Sequence, residues 1–368
     1  MITRRKALLA AAAGSGLLSL QACSADADAG AGYEAAARET WRHAVGPPAG
    51  RPLLMRELVR YATLAPSSHN TQCWQFRIEE RAIAILPDLA RRCPAVDPDD
   101  HHLYVSLGCA AENLAQAALA YGLGGETRFD PAGAGVLRVA LEPTRVRVSP
   151  LYDAIPKRQS TRAEFDGKPL AADELQLLAQ AASGAGVRVL LLTERPMLEQ
   201  VLDYVVRGNT AQLDDPAFLD ELKAWVRFSE GEAVRSGDGL FTFSTGNPTA
   251  PRWLGSRMFN LFLSAKNEND KYARQIRSSA GVAVFVSEKE DRAHWVEAGR
   301  CYERFALQAA ALGIRTAMIN QPVEVAALRP QFATALGLGG RRPDLVVRFG
   351  RGPRMPSSLR RPVAAVLV

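Results

Sequence analysis

Between Ala62 and Phe76 the sequence ATLAPSSHNTQCWQF packs hydroxyl and amide side chains, Ser67, Ser68, Asn70, Thr71 and Gln72, behind Pro66 and ahead of Trp74 and Phe76. A chain that leaves a helix at the proline and enters an extended aromatic segment can turn these N–H and OH groups toward one ligand. Such a junction suits a flat, polar, anionic molecule, because dipoles meet it without the cost of burying a fixed charge. An ordinary Asx/Ser turn has the same composition. A second group, Arg158, Ser160 and Arg162 within PKRQSTRAEF, is spaced two apart, so in an extended segment the three side chains share one side. A guanidinium and a hydroxyl placed so can hold phosphate oxygens by charge-assisted hydrogen bonds; a solvated basic turn would read alike.

These residues must be held by regular elements. Leu53, Leu54, Leu58, Tyr61 and Leu64 fall at helical spacing and lead into Pro66. Trp74–Ile78 and Ala82–Leu86 form a hairpin-like pair, and a long apolar helix from His102 to Tyr121 closes at Gly122. Arg138–Pro143 and Arg145–Ser149 supply further strand, and Pro343–Phe349 carries an apolar run suited to a sheet centre. At an offset of 191 the long helix repeats without a gap: Val105/Val296, Gly108/Gly299, Glu112/Glu303 and Gly122/Gly313 are identical. Two copies of one α/β unit in tandem explain this, against two unrelated Ala-rich helices. The polar loop occurs only in the first copy, and the Arg-x-Ser segment opens only the second. Two sites of a symmetric pair would thus become one composite site.

The stretch APSSxNxQxWxF resembles the flavin-contacting loop of the nitroreductase superfamily, with Cys73 where the family carries Pro, and PKRQSTRAEF resembles its N-terminal phosphate segment. Arg360-Arg361-Pro362 and the strand after it resemble the family's closing strand. The resemblance spans about residues 52 to 368 and is greatest to the Acg branch, in which two nitroreductase-like halves are fused. It implies an α/β (α+β) nitroreductase-like fold, a tandem fused pseudo-dimer with mixed sheets flanked by helices, and one bound FMN. It implies cofactor contacts from Pro66, Ser67, Ser68, Asn70, Arg158, Ser160, Arg162, the strip Met318, Ile319 and Asn320, and Arg360. Arg162 would lie at the flavin's pyrimidine edge, and a main-chain N–H of the 318–320 strip at its central ring. No residue is given a catalytic role and no metal is expected. The implied activity is FMN-dependent two-electron reduction of a small nitroaromatic or quinone-class acceptor by an unknown electron donor. A flavin-storing protein with little turnover, and an envelope protein with a decayed site, remain as alternatives.

The domain reading is residues 1–23 as leader, 24–50 as linker with a short helix around Tyr33 to Val45, 51–150 as the first half and 151–368 as the second. An insertion at about 199–278, holding DDPAFLDELKAWVRF and a Gly-rich loop, would act as a lid. Thr3-Arg4-Arg5-Lys6 before the apolar stretch Ala7–Ala22 has the pattern of a twin-arginine export signal, placing the protein in the periplasm or on the cell envelope. Leu20-Gln21-Ala22-Cys23 resembles a lipobox, leaving export alone or export with a lipid anchor at Cys23. With 368 residues, 47% hydrophobic, the chain can bury a large core as a monomer built as an internal pseudo-dimer. Its +6 charge is scattered arginine without a basic run, which argues against nucleic acid, and its five cysteines have no metal-ligand or disulfide spacing.

Overall fold

The computed structural model describes residues 32–46 and 48–368; the leader, Cys23 and most of the tether lie outside the described residues. A short helix α1 spans 32–40, within the tether as expected. With Pro at its second position, α2 runs Arg51–Thr63, and its apolar stripe buries Met55, Leu58, Val59 and Tyr61. The hairpin follows as β1 (Trp74–Ile78) and β2 (Ala82–Pro87), then α3 (His101–Ala120), β3 (Thr127–Asp130) and β4 (Val136–Ala140). The second unit repeats this series: α4 (Ala172–Ala181), β5 (Val187–Leu192), β6 (Gly281–Ser287), α10 (Arg292–Ala311), β7 (Arg315–Met318) and β8 (Pro343–Gly350). Between β5 and β6 lie α5 (Arg195–Leu213), α6 (Pro216–Trp225), α7 (Glu230–Ser236), α8 (Arg252–Phe262) and α9 (Ala265–Arg277).

Both sheets have the same order, first-second-fourth-third: β1-β2-β4-β3 and β5-β6-β8-β7, with every ladder antiparallel. The parallel component is confined to edge bridges, Phe76 with Leu367 and Ser160 with Thr316, and to a two-stranded pair at Val226 and Leu240. What differs between the units is the first hairpin turn. Residues 79–81 make it in the first; residues 193–280, the whole insertion, stand there in the second. The inserted α5 covers the outer face of the second sheet, packing Leu198, Val201 and Val205 against Val282, Val284, Val286 and Val346. All of β6 and β8 is therefore buried; β6 reads as a nearly continuous apolar run, and β8 as an apolar run interrupted by the buried Asp344 and Arg348.

The long helices α3 and α10 cross in the shared core at their glycines. A Cβ on Gly108 would lie 2.0 Å from the Val296 carbonyl oxygen, and one on Gly299 would lie 1.9 Å from that of Val105. Each glycine meets the residue equivalent to the one its counterpart meets, which is the contact pattern of a two-fold axis. One continuous core joins Trp74, Phe76 and Leu107 of the first unit to Phe285, Phe305 and Phe349 of the second. Among the described residues no helix is long and apolar enough to cross a membrane.

Two sequence expectations differ here. Arg145–Ser149 is not strand: it runs exposed over the end of α3, where Thr144 N donates to Gly122 O (2.8 Å) and Arg147 N to Leu119 O (2.8 Å). Orphaned helix carbonyls, rather than a strand edge, take its amides. The C-terminal strand is reduced to residues 366–368, whose backbone flanks Phe76 through Phe76 N to Val366 O (2.7 Å) and Val368 N to Phe76 O (2.9 Å).

Candidate functional site

Thr63 ends α2, and the next residues form a compact loop in which three non-glycine residues are left-handed: His69 (φ 48), Asn70 (φ 54) and Gln72 (φ 54). Each such residue costs on the order of 1 kcal/mol or more, so the surroundings must over-determine the loop. Asn70 N donates to Ser67 O (3.0 Å), Thr71 N to Ser68 O (2.9 Å) and Gln72 N to Ser67 Oγ (2.9 Å). The Asn70 amide donates to Gly239 O (3.0 Å) and Leu359 O (3.2 Å), and its oxygen accepts from Arg360 (3.0 Å). Gln72 Nε2 donates to Gly237 O (2.8 Å) and its Oε1 accepts from Arg361 N (2.8 Å). Asn70, expected to face a ligand, instead spends its amide tying the insertion and the C-terminal segment to the loop. Ser67, Ser68 and His69 remain turned to the cavity beside it.

Arg158 and Arg360 meet at the end of α2. Arg158 Nη2 donates to Leu64 O (2.8 Å), while its Nε lies 3.2 Å from Glu303 Oε1. Arg360 donates to the carbonyls of Thr63 (2.6 Å), Leu64 (3.2 Å), Ala65 (3.0 Å) and Leu359 (3.0 Å). It serves as a C-cap, a role its expected reach to a phosphate did not foresee. Burial, then the charge of Arg158, brings the Arg360 guanidinium down to about 9. Burial pushes the Glu303 carboxyl up to about 7 against the pull of Arg158. The repeat partner of Glu303, Glu112, pairs instead with Arg304 at 2.8 Å and Arg300 at 3.4 Å, so the duplicated glutamates have separate tasks.

The segment bearing Ser160 and Arg162 is clamped from beneath. Thr161 N donates to Thr316 O (2.8 Å), and the buried Arg348 donates to Thr161 O (2.9 Å), Ala163 O (2.7 Å) and Gln275 O (3.2 Å) under the Phe165 ring. Arg162 itself makes no side-chain hydrogen bond and no ion pair among the described residues; burial holds its pKa below the usual guanidinium value. Its charge and, more strongly, burial depress His69 to about 4, and His69 Nε2 is buried with no partner. These groups line a cavity of about 310 Å³ that also receives Trp41, Phe218, Leu222 and Tyr272.

Pro66, Ser67, Ser68, Asn70, Arg158, Ser160, Arg162, Met318, Asn320 and Arg360 all border this one cavity. Ile319 does not: its amide donates to Val346 O (2.9 Å) and its side chain packs in the core beneath α5. Ile319 N–H is therefore not free for a ligand; Asn320 Oδ1, beside the cavity, already accepts from Val346 N (2.9 Å). Sequence reasoning missed His69, Trp41, Tyr272, Glu303 and Arg348. Glu303 was marked by its identity across the repeat and Arg348 by a charge inside an apolar strand. Tyr272 sits in an insertion without a motif.

No protein-family model matches the chain. It is 25% identical over 327 residues to the protein named "Putative NAD(P)H nitroreductase Rv3131" of Mycobacterium tuberculosis, covering 85% of this chain and 90% of that one. To the same organism's "Putative NAD(P)H nitroreductase acg" it is 23% identical over 336 residues, covering 85% and 95%. Among solved structures, a nitroreductase with bound FMN from Desulfitobacterium hafniense DCB-2 aligns with 58% of this chain and 96% of its own, at 15% identity and a TM-score of 0.36. Over most of its length, then, the chain is similar to proteins that bear the name putative NAD(P)H nitroreductase.

Proposed function

We propose that the cavity binds one FMN per chain and that the protein is an FMN-dependent oxidoreductase acting on a small acceptor of the nitroaromatic or quinone class. One observation carries this reading: a loop of the first unit and a segment of the second wall a single cavity, into which Arg162 brings a charge that no described residue balances. The names of the similar proteins agree with it. The residues suit the group. His69 Nε2 and Arg162 are polar and unpartnered, Ser67, Ser68 and Ser160 add hydroxyls, and Phe218, Leu222 and Tyr272 offer apolar surface. Bound FMN would supply a two-electron carrier.

The chain's own contribution is position, charge and dryness. Arg162 places a fixed cation where negative charge would develop, preorganised because Arg348 fixes its backbone on both sides. Arg158 and Arg360 add positive potential at the α2 end, with Glu303 beneath them. The insertion lines the cavity with side chains of α5, α6 and α9, which would limit the water beside a bound group. No side chain is assigned a catalytic role. The hydrogen bonds of Asn70 and Gln72 to Gly239 and Gly237 also latch the insertion over the cavity, which favours a second reading in which FMN is held with little turnover. We place the protein in the periplasm or cell envelope, exported by the twin-arginine route either alone or with a lipid anchor at Cys23, as a monomer.

Purified full-length chain should be yellow with one FMN per chain, and the absorbance should bleach on anaerobic NADPH or NADH. Bleaching by dithionite alone would favour the holding reading. Two flavins per chain, or none after incubation with FMN, would sink the assignment.

A further inference from the structure

The helix α8 carries its apolar residues outward. Trp253 is 66% exposed, Leu261 77% and Leu254 37%. Trp253, Arg257 and Leu261 follow at i, i+4 and i+8 along one stripe, with Leu254 beside it. The opposite side is fixed to the protein. A Cβ on Gly255 would lie 2.5 Å from the Phe228 ring, and Phe259 meets that ring edge-on at 6.4 Å. The orientation of Trp253 and Leu261 is therefore built in. A helix that only faced water would show the reverse pattern.

The neighbours of α8 say what covers it. The described chain enters the fold at α1, where Tyr33 is buried against Phe241 at 4.9 Å and packs with Ala233 and Leu359. Phe241 meets the half-exposed Phe243 at 6.1 Å, and its strand pairs with Val226–Arg227, one residue before Phe228 under α8. The tether and α8 thus share one small group of elements. Cys23 precedes Gly32 by nine residues, a reach of at most about 30 Å when fully extended. The helix has no acidic residue, and of its two arginines Arg252 pairs with Glu232 at 2.7 Å while Arg257 stands on the outward stripe, on a chain of net charge +6. Trp at the edge of an apolar stripe with an arginine among its leucines is the composition of a helix lying in a lipid interface. A two-fold contact of α8 with a second copy would instead bring the Arg257 of each copy onto the other's stripe with no carboxylate from the helix to pair it.

We infer that the outward face of α8 seats on a lipid surface with anionic headgroups, Trp253, Leu254 and Leu261 entering the acyl boundary while Arg257 stays among the headgroups. The inference does not depend on what the cavity holds. Leu263, just beyond this face, already borders the cavity.

The test uses the full chain with Cys23→Ser, so that no acyl anchor contributes, and vesicles of phosphatidylcholine and phosphatidylglycerol with brominated acyl chains. Trp253 is the one tryptophan among the large exposed apolar side chains of the described residues, so its emission should be quenched. That loss should vanish in Trp253→Phe, and Leu261→Glu, still folded by circular dichroism, should partition at least about tenfold more weakly. Pure phosphatidylcholine should bind less. Equal quenching of parent and Trp253→Phe would mean that lipid is reached near another tryptophan and not at α8, and would overturn the inference. So would no quenching, or a lipid-free dimer that Leu261→Glu dissociates, which would assign the face to a second copy.

Discussion

Arg158 and Arg162 are the same residue type four positions apart, and the structure divides their work. Arg158 is buried with Glu303, so Arg158→Ala leaves a carboxylate without its partner and should cost about 3 kcal/mol in urea unfolding. Arg162 has no partner to abandon, so Arg162→Ala should leave the melting temperature unchanged while FMN fluorescence titration shows at least about tenfold weaker binding. His69 supplies a pH test. Its folded pKa, about 4, lies below the ordinary histidine value, so the stability it contributes is present above about 6.5 and lost as pH falls toward 4. The stability advantage of the parent over His69→Gln should therefore shrink between pH 7 and pH 4.5; an advantage constant across that range would refute the assignment. At this scale the sequence located side chains better than their duties. PSSxN marked the loop, but nothing in Asn70 announced that its amide would be taken by Gly239, Leu359 and Arg360, partners far away along the chain.

At the scale of elements the crossing of α3 and α10 is the most demanding contact. Gly299→Ala would drive a methyl group into the Val105 carbonyl and separate the helices, a loss of about 3 kcal/mol or failure to fold, read by thermal unfolding. Gln72→Ala frees the Gly237 carbonyl and should speed amide exchange across residues 237–240 while β6 stays protected. The repeat of α3 in α10 was legible because both helices keep the same glycines for the same close approach. The strand at Thr127–Asp130 was not. It is a partly exposed edge that pairs only with β4, and Val146 and Val148, which alternate like a strand, find no edge to join.

Across the whole molecule, two units of equal strand order share a core, and one hairpin turn has been replaced by the covering insertion. The sequence reading set that insertion at 199–278; the strands bound it at 193–280, because α5 begins as soon as β5 ends. Sheet order itself was out of reach, since β6 lies between β5 and β8, partners separated by long stretches of chain, and such pairing leaves no local trace. The same remoteness governs synthesis. Arg360 closes α2 across 297 residues, and Val366 and Val368 complete the edge of β1. A nascent chain that has not yet emerged as far as Arg360 therefore has neither a closed cavity nor a finished first sheet. A product truncated before residue 359 would carry an open helix end and a raw strand edge, a form that proteases and folding checkpoints can tell from the finished one.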